Sequence, residues 1–113
     1  MADVPSLQKI DQNPGSGAEA KLGSTVTVVY TGAVASTGVV FESSADTGQP
    51  AQFALNPGGL IQGWIDGLPG MKIGGQRRLL IPASQAYGAN PPAGSGIPAN
   101  ADLVFDITLL NVQ

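Results

Sequence analysis

Few residues of this 113-residue chain can do chemistry, and two absences narrow them further: it has no cysteine and no histidine. That removes disulfides, thiolate nucleophiles, cysteine or histidine metal sites and serine–histidine–aspartate triads. Carboxylates, hydroxyls, backbone groups and shaped apolar surface remain. Aromatic side chains are the strongest of these. Trp64 is the only tryptophan, Tyr30 and Phe105 sit in alternating apolar runs, Phe41 follows Val39-Val40, and Tyr87 lies in a stretch rich in Ala, Gly and Pro. A plain core accounts for Trp64, Tyr30 and Phe105 as well as a binding role does. Tyr87 is harder to explain as core, because a bulky ring in a Gly/Pro-rich loop points to function. Read alone, Trp64 and Tyr87 also suit a stacking platform for a sugar or a peptide. Glu42 follows an apolar strand, and its plain reading is a solvated strand end. Arg77-Arg78 read as surface charge pairs and Asp66 as a solvated helix position. Asp106, next to Phe105 on alternating positions, faces away from that ring.

These residues must be positioned by short strands and one short helix. Ser24 to Thr31 alternates Thr25, Thr27, Val29 and Thr31 against Val26, Val28 and Tyr30, a strand pattern that Gly32 is expected to end. Thr37-Gly38 is a turn, and Val39-Val40-Phe41 starts a second strand. Ser43 to Pro50 reads as a loop, and Gln52 to Leu55 as a third strand. Leu60, Ile61, Trp64, Ile65 and Leu68 recur at helical spacing over two turns. Gly63 and Gly67 weaken that helix and Pro69-Gly70 stops it, so packing must hold it in place. Gln76 to Pro82 is a strand, Ala83 to Asn100 a long connection, and Asp102 to Val112 the last and most apolar strand. Leu7 to Ile10 fits a short edge strand. The whole reads as a single α+β domain over residues 1–113, with 1–19 an N-terminal strand and loop.

Eight segments in order then carry a resemblance: Val29-Tyr30-Thr31-Gly32, Phe41-Glu42-Ser43-Ser44, Leu60-Ile61-Gln62-Gly63-Trp64, Gly67-Leu68 with Met71, Gly75-Gln76-Arg77-Arg78, Ala86-Tyr87-Gly88, Ile97-Pro98 and Leu103-Val104-Phe105-Asp106. Together, over about residues 20 to 113, the chain resembles the FKBP family of peptidyl-prolyl cis/trans isomerases. The resemblance implies a half-open antiparallel sheet of about five strands wrapped around one short α-helix. It implies an aromatic pocket for a proline ring, lined by Tyr30, Phe41, Trp64, Tyr87 and Phe105, with Leu60 and Ile61 at the helix entrance and Ile97 on the long loop. Glu42 stands where the family usually has aspartate. Ala51 stands where many members have an aromatic wall, which implies a pocket wider on one side and weaker macrolide binding. The implied activity is non-covalent rotation of Xaa-Pro bonds in protein folding, with Tyr30, Phe41, Glu42, Ile61, Trp64, Tyr87 and Phe105 acting on the substrate. The alternative is an FKBP-like proline- or macrolide-binding or chaperone module with weak catalysis.

Composition fits this reading. The net charge is −3 and no basic patch is present, so nucleic acid is not an expected partner. No apolar run approaches the ~20 residues that span a membrane. The N-terminal MADVPSLQKI has neither the basic nor the apolar part of a signal peptide, which leads to an expectation of a cytoplasmic chain. The expected partners are proline-containing peptides, unfolded proteins and macrolides such as FK506 or rapamycin. No cofactor is expected, and the chain is expected to be a monomer.

Overall fold

The structure, a computed structural model, describes residues 7–43, 50–56, 61–91 and 96–113. Its elements in chain order are β1 (Gln8–Asn13), β2 (Thr25–Val34), β3 (Val40–Ser43), β4 (Ala51–Ala54), α1 (Gln62–Gly67), β5 (Gln76–Ile81) and β6 (Leu103–Val112), with one 3-10 turn at Ala83–Gln85. All strands form one antiparallel sheet in the order β1-β5-β6-β2-β3, and β4 also pairs with β2.

Alternation decides which side of each long strand is buried. On β6, Leu103, Phe105, Ile107 and Leu109 turn inward, and on β2 Val26, Val28 and Val34 do so. All of these but Val34 meet Leu79 and Ile81 of β5, and Leu55 after β4, in one core that also takes in Trp64, Leu68 and Met71. The outer face carries a small apolar cluster, Ala35 and Leu80 with Val104, and an exposed ion pair in which Arg78 Nε lies 2.7 Å from Asp106 Oδ1. Asp106 thus faces away from Phe105, as its strand position requires.

The short edge strand read at Leu7 to Ile10 runs over Gln8–Asn13 beside β5 and brings the sheet to six strands, in keeping with the expected sheet of about five. One feature differs from the reading of the sequence: β2 does not stop at Gly32 but continues to Val34. A Cβ on Gly32 would lie 2.6 Å from the Phe105 ring and 2.8 Å from that of Phe41. The glycine is therefore a site of close approach, through which two rings from the neighbouring strands meet, and not a strand end. The two short strands share one edge of β2. β3 lies opposite Thr31 to Ala33, and β4 opposite Thr25 to Val28. They act as one strand interrupted between Ser43 and Ala51, and the loop read at Ser43 to Pro50 lies largely outside the described residues.

The helix is short and carries no side-chain N-cap. Its glycines cost helical propensity, yet the packing demands them. A Cβ on Gly63 would sit 2.5 Å from Ile81 Cγ2, and one on Gly67 would sit 2.8 Å from Leu79 Cδ2. At such distances side chains must shift, and overpacking of this kind costs about 1–3 kcal/mol. That exceeds the roughly 1 kcal/mol that alanine would gain over glycine in a helix. The glycine face presses α1 onto β5 and fixes the depth at which Trp64 enters the core.

Candidate functional site

Trp64 is the centre of an aromatic cluster. Its ring centroid lies 5.3 Å from Tyr30 and 5.3 Å from Phe105, both at 89°, and 5.0 Å from Phe53 at 74°. Phe41 stands edge-on to Phe105 at 5.7 Å. These edge-to-face contacts place the positive edge of one ring on the negative face of another, each worth about 0.5–1.5 kcal/mol beyond burial. Trp64 and Phe105 are buried, while Tyr30, Phe41, Ile61 and Tyr87 are partly exposed around them. Ile97 is buried in the same cluster. Leu60, expected beside Ile61, lies outside the described residues.

The strand register explains how the rings converge. Gly32 pairs with Phe105 on one side and Glu42 on the other, and Tyr30 is the next inward position of β2. A bulge in β3 puts Phe41 and Glu42 together opposite Gly32, so the ring and the carboxylate both reach the inner face. The loop carrying Tyr87 is held from several sides. Asp102 Oδ1 accepts from the Ala83 N–H at 2.9 Å, and the Gly88 N–H donates to Ala83 O at 2.9 Å. Asp66 accepts from Gln62 at 2.9 Å and from Gln85 at 3.0 Å. It therefore ties α1 to the turn that leads to Tyr87.

Glu42 is a charge that acts on both tyrosines. Burial, together with the Glu42 carboxylate as neighbour and hydrogen-bond acceptor, pushes the Tyr30 hydroxyl up to about 12. Burial and then Glu42 also raise Tyr87. The longer glutamate thus still engages the tyrosine beside it. The sign of the pH effect follows. The neutral phenol is favoured in the fold, and a tyrosine in the unfolded chain titrates near ~10. Stability from Tyr30 is fully present below about pH 10 and is lost as pH rises toward about 12. Only two tyrosines are present, so phenolate absorbance reads them alone. Glu42→Gln is expected to lower both transitions, but not to the unfolded value, because burial remains. An unchanged alkaline titration would remove Glu42 from contact with either hydroxyl.

One member of the cluster escaped the sequence reading. Phe53 faces inward from β4, opposite Val26, and packs on both Trp64 and Tyr30. The signal was present: within Gln52 to Leu55, alternation places Phe53 and Leu55 on one face. Ala51 shares that face one pair further along, opposite Val28. A second concavity, of about 390 Å³, lies at the outer face and is lined mainly by Gln12, Val29, Thr31, Ser43, Gln76 and Thr108. Its polar lining suits a hydrated surface better than an apolar ring. Among the described residues no three acidic side chains gather as a metal site would need.

The site is thus an aromatic floor held between an antiparallel sheet and one short helix. The sequence matches the FKBP-type peptidyl-prolyl cis-trans isomerase family over residues 17–110. It is similar to a probable FK506-binding protein of Corynebacterium glutamicum, with 52% identity over 98 residues that cover 86% of this chain and 79% of the relative. It is similar to an FK506-binding protein of Neisseria meningitidis serogroup B, with 45% identity over 102 residues covering 90% and 92% of the two chains. Among solved structures it is similar to a peptidyl-prolyl cis-trans isomerase of Pseudomonas syringae pv. tomato, with a TM-score of 0.82 and 34% identity, covering 95% of this chain and 75% of that one. The chain belongs to the FKBP-type peptidyl-prolyl cis-trans isomerases.

Proposed function

We propose that the substrate proline sits on Trp64, between Tyr30, Phe41 and Phe105, while the peptide bond before it turns. The observation that carries this reading is the convergence of Tyr30, Phe53 and Phe105 on Trp64 at 5.0 to 5.3 Å, from β2, β4 and β6, with Phe41 from the bulge of β3 joining the cluster through Phe105 at 5.7 Å.

The reaction breaks no bond. Amide resonance opposes rotation with a barrier of roughly 18–20 kcal/mol, and uncatalysed exchange takes on the order of tens to hundreds of seconds. An acceleration of about a millionfold needs about 8 kcal/mol of transition-state stabilisation. The planar amide is more polar than the twisted one, so an apolar aromatic site favours the twisted form. Held at its ring, proline stays fixed while the residue before it rotates. Donors placed for the twisted form add to this, since only interactions stronger in the transition state raise the rate. The Ile61 backbone supplies one. Its carbonyl accepts from the Trp64 and Ile65 N–H groups, and its own N–H has no partner among the described residues. Tyr87, at the rim, supplies a hydroxyl. Glu42 holds the Tyr30 phenol neutral and oriented at the side of the site.

The same surface suits the proline-like ring and flanking carbonyls of FK506 or rapamycin, in keeping with the FK506-binding names of the relatives. One chain contains every residue used, so a monomer suffices, and unfolded proteins with exposed Xaa-Pro bonds are the expected clients. The test is isomerisation of a tetrapeptide with an apolar residue before proline, with and without rapamycin. The expected result is acceleration that rapamycin abolishes. Acceleration indifferent to rapamycin would place the reaction elsewhere on the molecule.

A further inference from the structure

Among the described residues, the two edges of the sheet are built differently. Every residue of the β1 edge is exposed, and the strand carries Lys9, Asp11, three amide side chains and a register shift between Asp11 and Asn13. Charges and irregular register are how edge strands avoid pairing with other chains. The opposite edge has no such guard at its start. Val39 is 60% exposed and Val40 53%, and no charge or proline lies between Gly38 and Phe41. Among the described residues, β3 has a strand only on its β2 side. The Val39 N–H is held by Thr37 Oγ1 at 3.2 Å, and the Val39 carbonyl accepts from Val34 at 2.9 Å, so the two valines are presented on a fixed backbone.

The run is continuous with the site already described. Phe41, the next residue, packs its ring on Phe105 in the aromatic cluster. Val39, bonded to the inward-facing Val34, lies on the same side of the sheet as Phe41, whereas Val40, opposite Ala33, lies on the outer side. An apolar, unguarded edge invites strand addition, in which main-chain hydrogen bonds give affinity and alternate side chains give selectivity. A chain lying there would reach the aromatic cluster without a break.

We propose that this β3 edge is a docking strip for extended, apolar segments of non-native polypeptides, which add to the sheet beside Val39 and Val40 while a nearby proline occupies the cluster. The proposal rests on the proline-pocket reading and names its substrate class: non-native chains with apolar residues flanking the proline.

The test compares two substrates. One is a tetrapeptide, too short to hold proline in the cluster and pair along β3 together. The other is an unfolded protein whose refolding is limited by prolyl isomerisation. In Val39→Thr/Val40→Thr, which keeps β-branching, kcat/KM for refolding is expected to fall about fivefold through KM, with tetrapeptide turnover unchanged. Equal behaviour of variant and wild type on both substrates would overturn the strip and leave the pocket standing. A parallel loss on both, in a folded variant, would also overturn it, because the valines would then act through the pocket. A wild type inactive on either substrate would take down both readings. Should the variant not fold, the wild type decides: a permanently unfolded, proline-free apolar chain is expected to shift the amide resonances of Val39 to Phe41, and unmoved resonances would overturn the proposal.

Discussion

Replacing Trp64 by alanine is expected to abolish isomerase activity and to cost about 3–5 kcal/mol of stability as well. The second effect would obscure the first. Trp64 is 4% exposed, and its ring meets Tyr30, Phe53 and Phe105. A domain of this size has about 5–15 kcal/mol in total, so the alanine variant sits near the edge of folding. Phenylalanine separates the roles. It keeps a ring over the same neighbours and removes the indole Nε1, which is buried without a hydrogen-bond partner among the described residues. Losing a donor that bonds to nothing costs no hydrogen bond, so only the lost ring volume counts against stability. Trp64→Phe should therefore fold, bind rapamycin more weakly and show kcat/KM lower by about tenfold, equivalent to ~1.4 kcal/mol of transition-state binding. A folded Trp64→Phe with full activity and full rapamycin sensitivity would mean that the proline does not rest on this ring.

The long strands were legible because their information is local. β-branched residues alternate along β2, and apolar residues alternate along β6, each within a single segment. The helix was legible for a similar reason, from Ile61, Trp64, Ile65 and Leu68 at helical spacing. The site was legible only in part. Composition pointed to aromatic surface as the available chemistry, but the grouping of Tyr30, Phe41, Trp64, Tyr87 and Phe105 came from resemblance to a family. Pairing between distant segments was hidden. Nothing local says that β3 and β4 share one edge of β2, or that Gly32 is the gap through which Phe41 and Phe105 touch. Gly63 and Gly67 looked like flaws in a helix because their partners, Ile81 and Leu79, lie more than ten residues away. Phe53 was overlooked although the alternation that places it was visible.

Arg77 shows the same limit most sharply, and its replacement should have the largest effect outside the aromatic cluster. Adjacent arginines look like surface charge, and Arg78 fits that reading. Arg77 does not: it is 7% exposed on the inner face of β5. Its Nε donates to Asp11 Oδ1 at 2.6 Å, and its Nη1 to the carbonyls of Gly67 at 2.7 Å and Pro69 at 3.3 Å. The guanidinium therefore joins β1, 66 residues away in the chain, to the C-terminal end of α1. A planar fork with several donors is needed for this, and an ammonium cannot supply it. Arg77→Met keeps the apolar stem but leaves helix-end carbonyls unsatisfied, at an expected cost of about 2–4 kcal/mol in denaturant unfolding. Arg77→Lys should recover little. Asp11→Asn should cost about 1 kcal/mol or less, because the Asp11 side chain is 50% exposed and water can replace it. Added salt should weaken the clamp only slightly, since two of its acceptors are neutral carbonyls. The clamp also seats α1, and with it Trp64, so a folded Met variant should lose affinity for rapamycin as well. If Met, Lys and Asn variants unfold at the same denaturant concentration as the wild type, the buried arginine contributes nothing and the helix is held by its glycine face alone.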